Sequence, residues 1–247
     1  MNKAVYLIRQ SVEPNTLDIY IYDYVQGDGT DWWTGEKIES QTSANYIQKQ
    51  LENATNVTNI NLYINSYGGE VKEGLAIYNQ LKRHPAYKTA YIDGFACSIA
   101  SVIPMACDKI VMGTNTLMMI HHAEMGAWGN ADALRKAAND VEVIDKASCS
   151  SYIAKAGDKL SEEILNQLLD NQTWLNAEQC LQYGLCDEIA GQENDNISKA
   201  QQRFNDAIKQ QMQMLKPQVE VPAKFTQQKT NAEKLMAAFN IKNLGGK

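Results

Sequence analysis

No two of the five cysteines form a C-x-x-C pair, and no run of about eighteen apolar residues occurs anywhere in the chain. Cys97, Cys107, Cys149, Cys180 and Cys186 are odd in number and scattered, which argues against a disulfide framework and against a zinc site. The missing apolar run argues against a membrane span, and residues 4–8 are too short a stretch for a secretory signal. The expectation is a soluble, cytoplasmic protein with reduced thiols. Histidine is scarcer still: only His84, His121 and His122 occur in 247 residues. A general base titrating near neutrality comes from these three unless a carboxylate or lysine serves. A basic excess is also lacking. The net charge is −6, and residues 1–191 hold 14 Lys+Arg against 24 Asp+Glu, a balance unsuited to nucleic-acid binding as the main task.

Residues 192–247 differ, with 9 Lys+Arg against 5 Asp+Glu, nine glutamines, Pro217 and Pro222. Two amphipathic patterns occur there, on Ile197, Phe204, Ile208 and Leu215 and on Leu235, Met236 and Phe239, and neither buries much alone. The chain therefore divides into a main domain, 1–191, and a Gln-rich basic C-terminal extension, 192–247, read as helical or partly disordered.

Within the main domain, residues 3–9, 17–25, 57–64, 88–93, 109–112 and 117–120 read as strands. Residues 41–53, 71–84, 97–107 and 131–156 read as helices, with another opening at Ser161-Glu162-Glu163 and closing near 170–172. Residues 26–36 read as a glycine-spaced loop around Trp32-Trp33. Strands alternating with helices point to an α/β fold with a parallel sheet, whose sites gather where strands end and helices begin. Three features fall at such places: Gly68-Gly69 after one strand, Ser98 after another, and His121-His122 at the end of a third.

Ser98, at the start of a small-residue helix, is a candidate nucleophile, and a helix N-cap explains it equally well. The adjacent Cys97 and the more deeply set Ser101 are its rivals. The N–H of Ile99 is carried beside Ser98 by the chain, and Gly68 or Gly69 could offer a second donor to an oxyanion. Because neighbouring strand residues face opposite ways, one of His121 and His122 points into such a site. His84, at a helix end before Pro85, reads as structural.

The segments Ile64-Asn65-Ser66-Tyr67-Gly68-Gly69-Glu70-Val71, Gly94-Phe95-Ala96-Cys97-Ser98-Ile99-Ala100-Ser101, Met119-Ile120-His121-His122 and Trp174-Leu175-Asn176-Ala177 with Tyr183-Gly184-Leu185-Cys186-Asp187 occur in this order. Together they resemble the Clp protease proteolytic subunit family, ClpP, over about residues 15–190. Asp31-Trp32-Trp33 and Gln172-Thr173-Trp174-Leu175-Asn176-Ala177 look like the phage and prophage branch, which includes head-maturation proteases. The resemblance implies a ClpP/crotonase-like fold of repeated ββα units with a protruding handle helix from about Ala131. It implies a serine endopeptidase with Ser98 as nucleophile, His121 as base, and Gly69 and Ile99 as oxyanion donors. Gly68, Gly69, Glu70 and Gly126 would bind a peptide as an added strand. The partners it implies are peptide or protein substrate, further copies of the chain in a heptamer or tetradecamer, and an AAA+ unfoldase or phage capsid proteins. It implies no cofactor or metal, and neither membrane nor nucleic acid as partner. Two positions depart from the pattern. Tyr67 stands where the family has proline, and Gln172 stands where it has its catalytic acid. That leaves a Ser–His site helped by Gln172, an acid rebuilt on Asp170, or an inactive relative kept for assembly.

Overall fold

A computed structural model describes residues 15–54 and 56–191. The strand expected at 3–9 and both amphipathic segments of the C-terminal extension lie outside the described residues. In chain order the elements are β1 (Thr16–Tyr22), β2 (Gly29–Thr30), β3 (Lys37–Ile38), α1 (Ala44–Asn53), β4 (Asn59–Ser66), α2 (Val71–Arg83) and β5 (Tyr87–Cys97). They continue with α3 (Ile99–Val102), a 3₁₀ turn (Ile103–Ala106), β6 (Lys109–Met112), β7 (Leu117–Ile120) and α4 (Ala131–Ala156). After a second 3₁₀ turn (Gly157–Lys159) come α5 (Glu162–Asp170), β8 (Thr173–Asn176), α6 (Ala177–Tyr183) and β9 (Glu188–Ile189).

The main sheet runs β1-β4-β5-β6-β9, all parallel, and β7 and β8 attach beside the far half of β5. Alternation along the strands assigns the two faces. Ile19, Ile21, Ile60, Leu62 and Ile64 are fully buried and share one core with Ile77 and Leu81 of α2. Burying each such side chain contributes about 1.5–3 kcal/mol. On the intervening positions Tyr20, Tyr63 and Tyr91 stack across three strands, with centroids 4.8 and 5.2 Å apart.

β5 organises the site. Its first half pairs β6 (Thr89↔Lys109 to Ile92↔Met112) and its second half pairs β7 (Phe95↔Leu117 to Cys97↔Met119). The strand does not stop at Gly94, as its composition suggested. The register against β4 slips there instead, from Ile64↔Ile92 to Ser66↔Ala96. The Asn65 side chain fills the slip, accepting a hydrogen bond from the Phe95 N–H at 3.2 Å. A Cβ on Gly94 would lie 2.5 Å from Asn65 Oδ1, so a side chain there would displace the amide that fills the slip. The expected helix 97–107 is only α3 followed by the 3₁₀ turn, and Cys97 belongs to the strand.

Elsewhere the differences are local. The expected loop at 26–36 includes β2 and leads into the β2–β3 hairpin. Asp31 Oδ1 accepts from the N–H groups of Trp33 and Thr34, and this leaves Trp32 and Trp33 exposed at the tip. Thr173–Asn176 forms β8, antiparallel to β7. α4 is present as expected, capped by Asn130 and stopped at Gly157.

Candidate active site

Where β5 ends, Ser98 has φ 52° and ψ −131°. A non-glycine residue held there costs roughly 1–3 kcal/mol and persists only if its surroundings over-determine it. They do so here. The Ser98 N–H donates to the Met119 carbonyl at 2.8 Å, continuing the β5–β7 pairing. The Ser98 carbonyl accepts from the Ser101 N–H at 2.9 Å and from Ser101 Oγ at 2.6 Å. Ser101 Oγ also lies 2.6 Å from the hydroxyl of Tyr152, which is buried on α4. The Ser98 side chain makes no capping bond, so the N-cap explanation does not describe it.

The same pairing brings His121 to Ser98. Cys97 stands opposite Met119, so the residues just past both strand ends meet, and His121 Nε2 lies 2.8 Å from Ser98 Oγ. The rivals are otherwise occupied. Cys97 is fully buried, and burial pushes its thiol up to about 11. Ser101 is buried on Tyr152.

Gly68 and Gly69 are both required by space. Their φ values are 106° and 150°. A Cβ on Gly68 would meet Ser98 Cβ at 2.6 Å, and one on Gly69 would meet the Val25 carbonyl at 2.0 Å. The Val25 N–H donates to the Gly68 carbonyl, and the Glu70 N–H donates to the Val25 carbonyl, each at 2.7 Å. A trans peptide points its C=O and N–H in opposite directions, so the Gly69 N–H faces away from Val25. Among the described residues neither the Gly69 nor the Ile99 N–H has a hydrogen-bond acceptor. Gly126 lies in the open loop after β7, with nothing within 4 Å of an added Cβ. Glu70 is ion-paired with Lys72 at 3.2 Å.

The two candidate acids lie elsewhere than at His121. Asp170 Oδ1 is 3.1 Å from His122 Nε2. Gln172, at φ 47°, is exposed, and among the described residues its side chain makes no hydrogen bond. The alternation of adjacent residues thus splits the pair. His121 turns to Ser98, and His122 lies between Asp170 and Asp145, whose Oδ2 is 2.6 Å from His122 Nδ1. Burial pulls the His122 pKa down, but the hydrogen bonds and charges of Asp145 and then Asp170 outweigh it and hold it above its ordinary value. His122 and Asp145 line an open cleft of about 790 Å³ between α4 and α5, together with Val141, Cys149 and Leu165.

Sequence reasoning missed four residues around the site. Asp145 anchors His122 and the Ala123 N–H (2.8 Å). Tyr152 anchors Ser101. Gly74 lets α2 approach α3, and a Cβ there would come within 2.1 Å of Ile99 Cγ1. Glu124, with Oε1 3.6 Å from His121 Nδ1, is the fourth. Only Glu124 carried a legible signal, as a carboxylate three residues from the base. No group of three or more His, Cys, Asp and Glu among the described residues is arranged to hold a metal ion.

The Clp protease family model matches residues 32–193. The chain is 32% identical over 169 residues to the ATP-dependent Clp protease proteolytic subunit of Deinococcus radiodurans, covering 66% of this chain and 81% of that protein. It is 30% identical over 168 residues to proteolytic subunit 1 of Streptomyces avermitilis, covering 66% and 76% respectively. For proteolytic subunit 1 of Chlamydia abortus the figures are 28% over 166 residues, 65% and 85%. With the family match spanning more than half of its length, the chain belongs to the Clp protease family of serine endopeptidases.

Proposed function

We propose that this chain cleaves peptide bonds through an acyl-enzyme on Ser98, within a ring-shaped oligomer of identical subunits. The observation that carries the reading is the 2.8 Å contact of His121 Nε2 with Ser98 Oγ at the junction of two strand ends. In this mechanism Ser98 Oγ attacks the scissile carbonyl carbon while its proton passes to His121 Nε2. The carbonyl oxygen becomes an oxyanion that accepts from the free N–H groups of Gly69 and Ile99. Collapse breaks the C–N bond, and His121 returns the proton to the leaving amine. Water, deprotonated by His121, then releases the acyl group and restores Ser98. The peptide lies along Gly68, Gly69 and Glu70 as an added strand, with the loop around Gly126 on its other side.

The ring draws support from α4. Of its 26 residues only Ser151, Tyr152 and Ala156 are buried, and Leu134 and Val143 are exposed. Such a helix, lacking a packed face over most of its length, suits contact with further copies. The relatives named above are subunits of an ATP-dependent protease, so an unfoldase is the corresponding partner. The narrower setting, capsid maturation in a phage or prophage, rests on the Asp31-Trp32-Trp33 loop and the Gln172–Ala177 stretch alone. A second reading, a catalytically weak relative kept for assembly, is favoured by one observation: an amide at Gln172 that makes no bond to His121.

Hydrolysis of a fluorogenic peptide by the purified chain, compared with Ser98→Ala, separates the two. Turnover by the parent that the substitution abolishes supports the peptidase. Equal turnover by both sinks the Ser98 assignment.

A further inference from the structure

The base and its nucleophile are in contact, but the family's acid position holds an amide, which raises the question of what orients His121. If His121 is to accept the Ser98 proton at Nε2, its own proton must sit on Nδ1, and that N–H needs an acceptor. Three side chains come into question. Asp170 is engaged with His122 at 3.1 Å. Gln172 is exposed, and its backbone N–H is tied to the Leu169 carbonyl at 3.0 Å. Glu124 remains, with Oε1 3.6 Å from His121 Nδ1.

The loop after β7 explains how Glu124 comes there. Asp145 on α4 takes the His122 ring at 2.6 Å and the Ala123 N–H at 2.8 Å, one carboxylate oxygen for each. That grip fixes the chain on both sides of the His122–Ala123 peptide. The next residue, Glu124, is thereby kept within reach of His121 Nδ1. Among the described residues Glu124 has no other ion pair and no hydrogen bond, so its carboxylate is uncommitted. The contact exceeds the 2.7–3.2 Å of a formed hydrogen bond. Bonds of this kind are often long in a free site and tighten once substrate is bound.

We propose that Glu124 is the positioning carboxylate for His121, taking the part that the family pattern assigns to the position of Gln172. It acts through His121, by accepting the Nδ1 proton and by offering negative charge when the ring becomes imidazolium. The inference rests on the Ser98–His121 reading. Glu124's side chain is 73% exposed, so solvent screens it, and its effect on rate should fall well short of the ~10⁴ that an amide costs at a buried triad acid.

The test uses the full chain with ¹⁵N-labelled histidine; only three histidines contribute signals. Ring ¹⁵N shifts above neutral pH report which nitrogen carries the proton. The parent is expected to hold His121 as the Nδ1–H tautomer, and Glu124→Ala to move it toward Nε2–H. On a fluorogenic peptide the same variant should lose about 10- to 100-fold in kcat with KM within about twofold, and Glu124→Asp should recover part of that loss. An unchanged tautomer in Glu124→Ala overturns the proposal, whatever the turnover. Failure of the parent to react at Ser98 with a fluorophosphonate counts instead against the peptidase reading, and the ring-nitrogen signals still decide the role of Glu124.

Discussion

His122→Gln should flatten the dependence of stability on pH between about 5 and 8. Both ring nitrogens of His122 face carboxylates, Asp145 at 2.6 Å and Asp170 at 3.1 Å. Only the imidazolium can donate to both at once. Its folded-state pKa is raised above the ordinary value, burial notwithstanding, by Asp145 and then Asp170. A raised folded pKa means that the clasp contributes fully below the unfolded value of about 6.5. The contribution is lost as pH rises through the folded value. Charge-assisted hydrogen bonds contribute about 1.5–3 kcal/mol when sheltered. The side chain of His122 is 38% exposed and that of Asp170 is 70% exposed, so solvent screening discounts the pair to about 1–2 kcal/mol. For a domain of this size that corresponds to roughly 2–8 °C in melting temperature. The assay is a thermal melt of parent and variant at pH 5.5 and pH 8. The melting-temperature gap between them should be largest at pH 5.5 and shrink at pH 8. His84 works in the other direction, since burial and then the charge of Lys88 lower its pKa, but it is common to both proteins and cancels in the comparison. A gap that is the same at both pH values would mean that the charged His122 clasp does not stabilise the fold.

Two glycines make further predictions. Gly69→Ala forces a methyl onto the Val25 carbonyl and turns the oxyanion N–H away, so kcat should fall about 10²–10³-fold in peptide hydrolysis, with a lower melting temperature. Gly74→Ala drives a methyl into Ile99 directly beside Ser98. It should cost about 1–3 kcal/mol in denaturant unfolding and lower kcat more than it raises KM.

The parallel sheet, α4 and the run β6–β7 were legible because each carries its own periodicity or bounding residues. What escaped was set by tertiary contact. Gly94 reads as a breaker, yet β5 continues through it because Asn65, on the neighbouring strand, fills the slip in register. The helix expected at 97–107 starts late because Ser98 leaves β5 at a positive φ, and the residue type at 98 does not announce that constraint. Ser101, Tyr152 and the Met119 carbonyl impose it from 3, 54 and 21 residues away. In the candidate site, Ser98 and His121 were legible as residues at strand ends. Their mutual contact depends on the Cys97↔Met119 register, which periodicity does not fix. The separate fates of His121 and His122 follow from strand alternation, but the partner of His122 is Asp145 on α4, 23 residues along the chain, and no local pattern pairs the two.

Covalent labelling tests whether Ser98 is a nucleophile activated by His121. The chain is incubated with a fluorophosphonate, digested, and mapped by mass spectrometry, alongside Ser98→Ala and His121→Ala. One adduct is expected, on Ser98, absent from Ser98→Ala and much slower to form in His121→Ala. An unlabelled parent, or an adduct on another residue, would contradict it.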